Sequence, residues 1–207
     1  MKRNILITGG AGFIGSHVVR LFVNKYPDYH IVNLDKLTYA GNLANLVDIE
    51  DKPNYTFEKA DIADFDEMRR IISEYNIDGI IHLAAESHVD RSIKDPFTFA
   101  RTNVMGTAHV LEACRKTPSV STIVSVTTDK CYANDGRLTG YQEDAPLGGH
   151  DPYSNSKACA ELVSACWRDS FLAERGIGLA TARAGNVIGG GDWSADRLVP
   201  DAIQAFA

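Results

Sequence analysis

Short runs of β-branched and aliphatic residues alternate along the chain with longer stretches whose apolar positions recur every three or four residues. The short runs predict strands over 4–8, 30–34, 55–59, 79–85, 122–127 and 178–182. The longer stretches predict helices over 13–23, 65–75, 97–115 and 153–171; in the first, Phe13, Ile14, His17, Val18 and Leu21 keep helical spacing. Residues 79–85 (GIIHLAA) are a continuous apolar run, as expected of a strand covered on both faces. Strand–helix alternation of this kind predicts an α/β protein built on a parallel sheet. After Arg183 the chain turns glycine-rich (GNVIGGGDW) before another helical pattern begins.

Composition narrows the function classes. The 207 residues are 44% hydrophobic and 23% charged, with a net charge of -6 and no block of like charge. A general nucleic-acid binder would show a basic face, so no nucleic-acid partner is expected. Cys114, Cys131, Cys159 and Cys166 include no C-x-x-C pair, which predicts reduced thiols rather than a disulfide framework or a metal site. His88 has no partners at ligand spacing. The apolar run Ile5-Leu6-Ile7 is too short for a signal peptide, and no stretch reaches membrane length, so a cytoplasmic protein without a membrane partner is expected.

Gly9, Gly12 and Gly15 form G-x-x-G-x-x-G between the first strand and the first helix. Glycine at these places allows a tight turn, close backbone approach to a pyrophosphate and helix–strand packing. The N–H groups of Phe13 and Ile14 open a helix whose dipole favours an anion. Read alone, the spacing also fits a plain glycine-rich turn. Asp35 changes the weighing: it ends the second strand 20 residues past Gly15, where a carboxylate accepts bonds from the adenosine ribose hydroxyls. That charge favours NAD over NADP, and Lys36 beside it softens the preference. Asp61 and Ile62 follow the third strand, where an adenine would rest; Asp61 reads equally as a carboxylate at a helix N-terminus. The expected fold is therefore a Rossmann-type doubly wound parallel sheet with helices on both faces.

Tyr153 and Lys157 stand one helical turn apart, after the Asp151-Pro152 start signal. A nearby cation lowers a phenol pKa and lets the tyrosinate act as a base near neutral pH. Tyr55 and Lys59 repeat the spacing, but in a strand pattern, where four residues span about 13 Å and the two groups cannot cooperate.

GGAGFIGSH, HLAAESHVDRS, SVTTDK and YSNSK together resemble the extended short-chain dehydrogenase/reductase family, and within it the nucleotide-sugar 4,6-dehydratases. The first half, with LDKLTYAGNL and AAESHVDRSIKDP, resembles the dTDP-glucose type. The second, with VTTDKCY, LGGHDPYSNSKA and GNVIGGGDWSADRLVPD, resembles the CDP-glucose type. The chain departs from each pattern in opposite halves: its glycine loop is not the GHTGFKGSW of the CDP-glucose type, and Lys130 stands where the dTDP-glucose type has Glu.

The resemblance implies conversion of an NDP-glucose to its 4-keto-6-deoxy product with a tightly held NAD. Tyr153 would take the C4 hydroxyl proton, Lys157 would hold the nicotinamide ribose, and Thr128 would bond the C4 oxygen. Asp129 would protonate the departing C6 hydroxyl, and Lys130 would stand at the C5 base position. Leu83, Ala84, Ala85 and Asn103 would line the cofactor, and Ser87, Asp90 and Asn186 the substrate. The residues alone leave Thr128 and Asp129 open as a capped turn at a strand end, Lys130 as a solvated charge and the asparagines as structural. A 4-epimerase shares Tyr, Lys and Thr but needs no acid at C6; a non-catalytic dinucleotide binder is the other alternative. The resemblance also implies a homodimer through a four-helix bundle of the 97–115 and 153–171 helices. It divides the chain into a dinucleotide-binding domain over 1–183 and, over 184–207, the start of a small substrate lobe that is largely missing.

Overall fold

The computed structural model describes residues 2–192 and 198–206. One sheet of six strands organises them: β1 (Asn4–Thr8), β2 (His30–Asp35), β3 (Tyr55–Lys59), β4 (Gly79–His82), β5 (Thr122–Thr128) and β6 (Gly178–Ala184). Their spatial order is β3-β2-β1-β4-β5-β6 and every pairing is parallel. This is the expected Rossmann topology, whose order reverses between β1 and β4, and ligands of such sheets bind at that switch point beyond the carboxyl ends of the strands.

Side-chain alternation assigns the two faces of the sheet. Leu6, Val32, Ile80 and Ile123 stand in paired register and belong to one buried cluster. That face is covered by α2 (Phe65–Glu74) through Met68, Ile71 and Ile72, and by α5 (Thr107–Lys116) through Val110, Leu111 and Cys114. Helix α6 (Pro152–Trp167) adds Val163 and Trp167 at its margin. Ile5, Ile7 and Ile31 face the other way, onto Val19 and Val23 of α1 (Phe13–Lys25) and Leu46 of the 3₁₀ turn Leu43–Leu46. Among the described residues no helix is long and apolar enough to cross a membrane.

Three predicted elements differ in form. The fourth strand stops at His82 rather than residue 85: the Leu83 N–H still reaches the Thr8 carbonyl at 3.1 Å, but the Ala84 N–H turns to the Thr8 hydroxyl at 3.2 Å. The helix expected over 97–115 is α4 (Pro96–Phe99), a π-helical segment Ala100–Gly106, and α5. Gly106 lets this segment press on the loop between β3 and α2, since a Cβ there would lie 2.7 Å from Ile62 Cδ1. The helix expected over 153–171 is α6 followed by a π turn, Arg168–Leu172. Helix α3 (Val89–Lys94) was not expected, being too short to show a period. Helix α7 (Leu198–Phe206) carries the last helical pattern, and residues 193–197 of the expected lobe lie outside the described residues.

Candidate active site

The loop from β1 to α1 needs its glycines for different reasons. Gly9 has φ +74°, and a Cβ there would lie 2.7 Å from the Ala84 backbone; at Gly15 it would meet the Gly9 carbonyl oxygen at 2.0 Å. Packing alone therefore demands both. Gly12 differs, since a Cβ there meets nothing closer than 3.4 Å. It is the N-cap of α1, offers no side-chain cap, and precedes a first turn without an acidic residue. The first N–H returned to the helix is that of Ser16, to the Gly12 carbonyl at 2.9 Å, so the N–H groups of Phe13, Ile14 and Gly15 point out of the helix start. A bare surface of this kind fits a pyrophosphate. The motif reading missed Gly10, where a Cβ would strike Asn33 Oδ1 at 2.0 Å.

Asp35 is buried behind this loop. Its Oδ2 accepts from Ala11 N at 3.0 Å and its Oδ1 from Leu37 N at 2.8 Å, so the carboxylate braces the loop as well as ending β2. Lys36 Nζ pairs with Asp61 Oδ2 at 2.8 Å, which directs its charge away from Asp35. Burial works against the Asp61 charge, yet Lys36 and the Ala63 N–H outweigh it and hold the carboxyl below its ordinary value. The N-cap of α2 is Asp64, not Asp61. The Ile62 side chain is committed to the core, which leaves its backbone as the part able to meet a ligand.

Beyond β4 the chain runs along the same crevice. Leu83 and Ala84 are tied to Thr8 and lie against Gly9, and Ala85 follows them. Asn103 is buried in the π segment with its amide fully used: Oδ1 accepts from Glu86 N at 2.9 Å, while Nδ2 donates to Glu86 O at 3.0 Å and Ser156 Oγ at 2.9 Å. Its role is to hold the β4 loop. Ser87 Oγ lies 3.4 Å from His88 Nδ1, which Tyr39 Oη approaches at 2.9 Å. Asp90 is exposed in the first turn of α3. Glu86 was not foreseen; its side chain is buried, which pushes its carboxyl up, with Arg91 opposing.

At the end of β5, Thr128, Asp129, Lys130 and Asn186 come together. Thr128 Oγ1 accepts from Lys130 N at 3.3 Å, capping the 3₁₀ turn Asp129–Cys131, and donates to Asp129 Oδ1 at 3.2 Å. Lys130 Nζ donates to Asn186 Oδ1 at 3.3 Å and lies 3.9 Å from Asp129 Oδ1. Helix α6 packs against this turn and against β5. Its start is set by Pro152 and by Asp151, which accepts from Ser154 N at 2.9 Å and Ser154 Oγ at 2.6 Å. Tyr153 is half-buried, edge-on to Phe99 with ring centroids 6.3 Å apart. Lys157 is 7% exposed and donates to the Val126 carbonyl at 2.8 Å. Burial brings its ammonium down from 10.5 to about 8, with the Glu161 carboxylate opposing the fall.

Sequence reading also passed over Glu161, one turn beyond Lys157. It accepts hydrogen bonds from Thr127 Oγ1, from Thr181 Oγ1 at 2.8 Å and from Arg183 Nη2 at 3.1 Å. Arg183 also donates to Glu143 O at 2.9 Å and lies over the Tyr132 ring at 4.8 Å. The i+4 spacing from Lys157 was the available signal, but a glutamate in a helix ordinarily reads as solvated.

A doubly wound sheet with a bare glycine loop at its switch point, and a Tyr/Lys helix beside a Thr-Asp strand end, defines a Rossmann-type α/β protein of the short-chain dehydrogenase/reductase kind. Residues 6–186 match the model of the family described as GDP-mannose 4,6 dehydratase, and the chain belongs to that family. It is 40% identical over 209 residues to a CDP-glucose 4,6-dehydratase of Salmonella typhimurium, covering 99% of this chain and 57% of that protein. It is 45% identical over 179 residues to a dTDP-glucose 4,6-dehydratase of Neisseria gonorrhoeae, covering 82% and 51%. The crystal structure of a Streptomyces venezuelae dTDP-glucose 4,6-dehydratase with NAD and TYD bound superposes with a TM-score of 0.87 at 36% identity, covering 98% of this chain and 62% of that one. Both types whose motifs the two halves resemble are thus among its relatives, and the chain spans little more than half of their length.

Proposed function

We propose that the protein serves the 4,6-dehydration of a dTDP- or CDP-glucose with bound NAD. The observation that carries this reading is the hydrogen-bonded Thr128–Asp129 pair at the end of β5, next to the helix of Tyr153 and Lys157. Gly12, Phe13 and Ile14 would hold the pyrophosphate, Asp35 a ribose hydroxyl, Asp61 and Ile62 the adenine edge, and Leu83–Ala85 the far side of the crevice. NAD, when bound, supplies the acceptor for the C4 hydride and returns it at C6.

The chain's own residues move the protons. Tyr153 takes the C4 hydroxyl proton, helped by the Lys157 ammonium, and Thr128 holds the C4 oxygen. The resulting ketone acidifies C5–H. Asp129 then protonates the C6 oxygen, which otherwise leaves as hydroxide. Lys130 is assigned to the base position at C5, where its amine, in the unprotonated form, takes the C5 proton as the C6 oxygen leaves with the proton from Asp129. Ser87, Asp90 and Asn186 are assigned to the sugar side, together with residues 184–207 as the start of a substrate lobe following the 1–183 domain. An acid beside Thr128 is what a 4-epimerase does not need, and this favours dehydration.

Two further assignments accompany this reading. The protein works in the cytoplasm, a reducing compartment that suits four free cysteines. It pairs with a second copy through the α4–α5 segment and α6, which present Phe97 (84% exposed), Met105 and Leu162 (59% exposed) to solvent. Incubation with either NDP-glucose tests the proposal: the 4-keto-6-deoxy product is expected, and C4 inversion without dehydration would replace the reading with an epimerase.

A further inference from the structure

A buried histidine outside the proton-transfer machinery joins its two halves. His82 ends β4, fully enclosed, with Nδ1 2.8 Å from Thr8 Oγ1 and Nε2 3.2 Å from Thr107 Oγ1. The hydrogen directions around it are forced. Thr107 Oγ1 has its one proton committed to a backbone carbonyl, so it accepts from His82 Nε2, and Thr8 Oγ1, which accepts from the Ala84 N–H, gives its own proton to Nδ1. Nδ1 therefore carries no hydrogen, and the neutral ring carries it on Nε2, from which it goes to Thr107 Oγ1. Thr107 in turn donates to the Asn103 carbonyl at 2.7 Å.

The chain continues through the same asparagine. Its Oδ1 faces the Glu86 N–H, an obligatory donor, which fixes the amide orientation and turns Nδ2 toward Ser156 Oγ. Ser156 then donates to the Tyr153 carbonyl at 2.7 Å. Every link from Thr8 to Tyr153 is a hydrogen bond with one allowed direction or the covalent frame of Asn103. Burial holds the His82 imidazolium pKa down to about 3, and the Lys157 charge acts in the same sense, so the ring stays neutral throughout the neutral range.

We infer that His82, as its Nε2–H tautomer, is a positioning residue that registers the Tyr153/Lys157 turn of α6 against the glycine-loop strand through Thr8, Thr107, Asn103 and Ser156. The π-helical form of Ala100–Gly106 belongs to this device, since it carries Asn103 at the point where the two sides meet. A slip at Thr107 would be felt on both sides, as a shifted Leu83–Ala84 backbone beneath Gly9 and as a loosened first turn of α6. The device rests on the proposed roles of Tyr153 and Lys157 only for its consequence in turnover; its hydrogen bonds are measurable without any substrate.

Nitrogen-15 NMR of the histidine rings in the cofactor-bound protein tests the inference, combined with amide exchange in Thr107→Val and Thr107→Ser. His82 is expected to show a protonated Nε2, a bare Nδ1 and no titration through the neutral range. Thr107→Val keeps the shape but removes both bonds, so the Tyr153–Lys157 amides are expected to exchange about tenfold faster, the equivalent of one lost hydrogen bond, with α2 unchanged. Thr107→Ser should restore the wild-type pattern, which a loss of packing alone would not predict. Should Thr107→Val fail to fold, the wild-type tautomer and the Thr107→Ser exchange decide. A proton on Nδ1, titration near neutrality, unchanged α6 exchange in folded Thr107→Val, or Thr107→Ser failing to restore it would overturn the inference. None of these readouts depends on which reaction the protein performs.

Discussion

Lys157 donates its ammonium to the carbonyl of Val126 at 2.8 Å, two residues before the strand end that carries Thr128 and Asp129. The bond fixes the helix charge to the strand that leads into Asp129. It also keeps the ammonium in a dry place, where burial lowers its pKa from 10.5 to about 8.

That shift predicts a pH signature. Between about 8 and 10.5 the native lysine binds fewer protons than the unfolded one, so its contribution to stability is full above 10.5 and is lost as pH falls through this window. Relative to Lys157→Met, the wild type should gain on the order of 3 kcal/mol across it. Denaturant unfolding of both proteins at several pH values checks this; parallel profiles would show that the ammonium is not desolvated. Steps that need the ammonium should weaken as pH rises past about 8.

Glu161 should behave as a structural hub. Glu161→Ala leaves Arg183, Thr127 and Thr181 without their shared acceptor, and a buried pair broken on one side costs about 3–5 kcal/mol. Glu161→Gln should cost less. Burial opposes the Glu161 charge, but Arg183 and the threonines hold its pKa below 4.5, so its stabilisation is present above that value and fades as pH falls further. Chemical unfolding near neutral pH that shows less than about 1 kcal/mol of loss in Glu161→Ala would contradict this role.

The three motif glycines should separate by experiment. Gly9→Ala and Gly15→Ala force a Cβ into backbone atoms at 2.7 and 2.0 Å and should lower the melting temperature. Gly12→Ala has room and should fold normally while binding NAD more weakly. Calorimetry giving wild-type NAD affinity for Gly12→Ala would remove the pyrophosphate from this loop.

The proposed pairing through α6 has a simple check. Leu162→Glu places a charge on an exposed apolar position and should turn a dimer into a monomer in sedimentation without lowering thermal stability. A wild type that sediments as a monomer at all concentrations would refute the pairing.

The sheet and most of its helices were legible because their signals are local. The apolar runs of β1 and β2 and the spacing of Met68, Ile71 and Ile72 each fit in a short window. The end of β4 was not legible: Leu83, Ala84 and Ala85 are apolar like the strand before them, and the Ala84 N–H leaves the ladder for the hydroxyl of Thr8, 76 positions away. Motifs located Thr128, Asp129 and Tyr153 without showing what holds them. Asn103 could be named but not understood, since its partners Glu86 and Ser156 lie 17 and 53 residues away. Glu161 was missed because only the fold makes it buried, and His82, inside a strand expected to be covered, because its partners Thr8 and Thr107 lie 74 and 25 residues away.

The most direct test of the central claim is single-turnover reaction of Asp129→Asn, in preparations whose wild type turns over NDP-glucose. On the proposed reading, oxidation at C4 needs Tyr153 and Lys157, whereas elimination also needs an acid at the C6 oxygen, the role assigned to Asp129 beside Thr128. Asp129→Asn is expected to develop the absorbance of reduced nicotinamide and to form little 4-keto-6-deoxy product, while Tyr153→Phe gives neither. Elimination of water by Asp129→Asn at the wild-type rate would contradict the assignment of this residue and, with it, the dehydratase reading of the site.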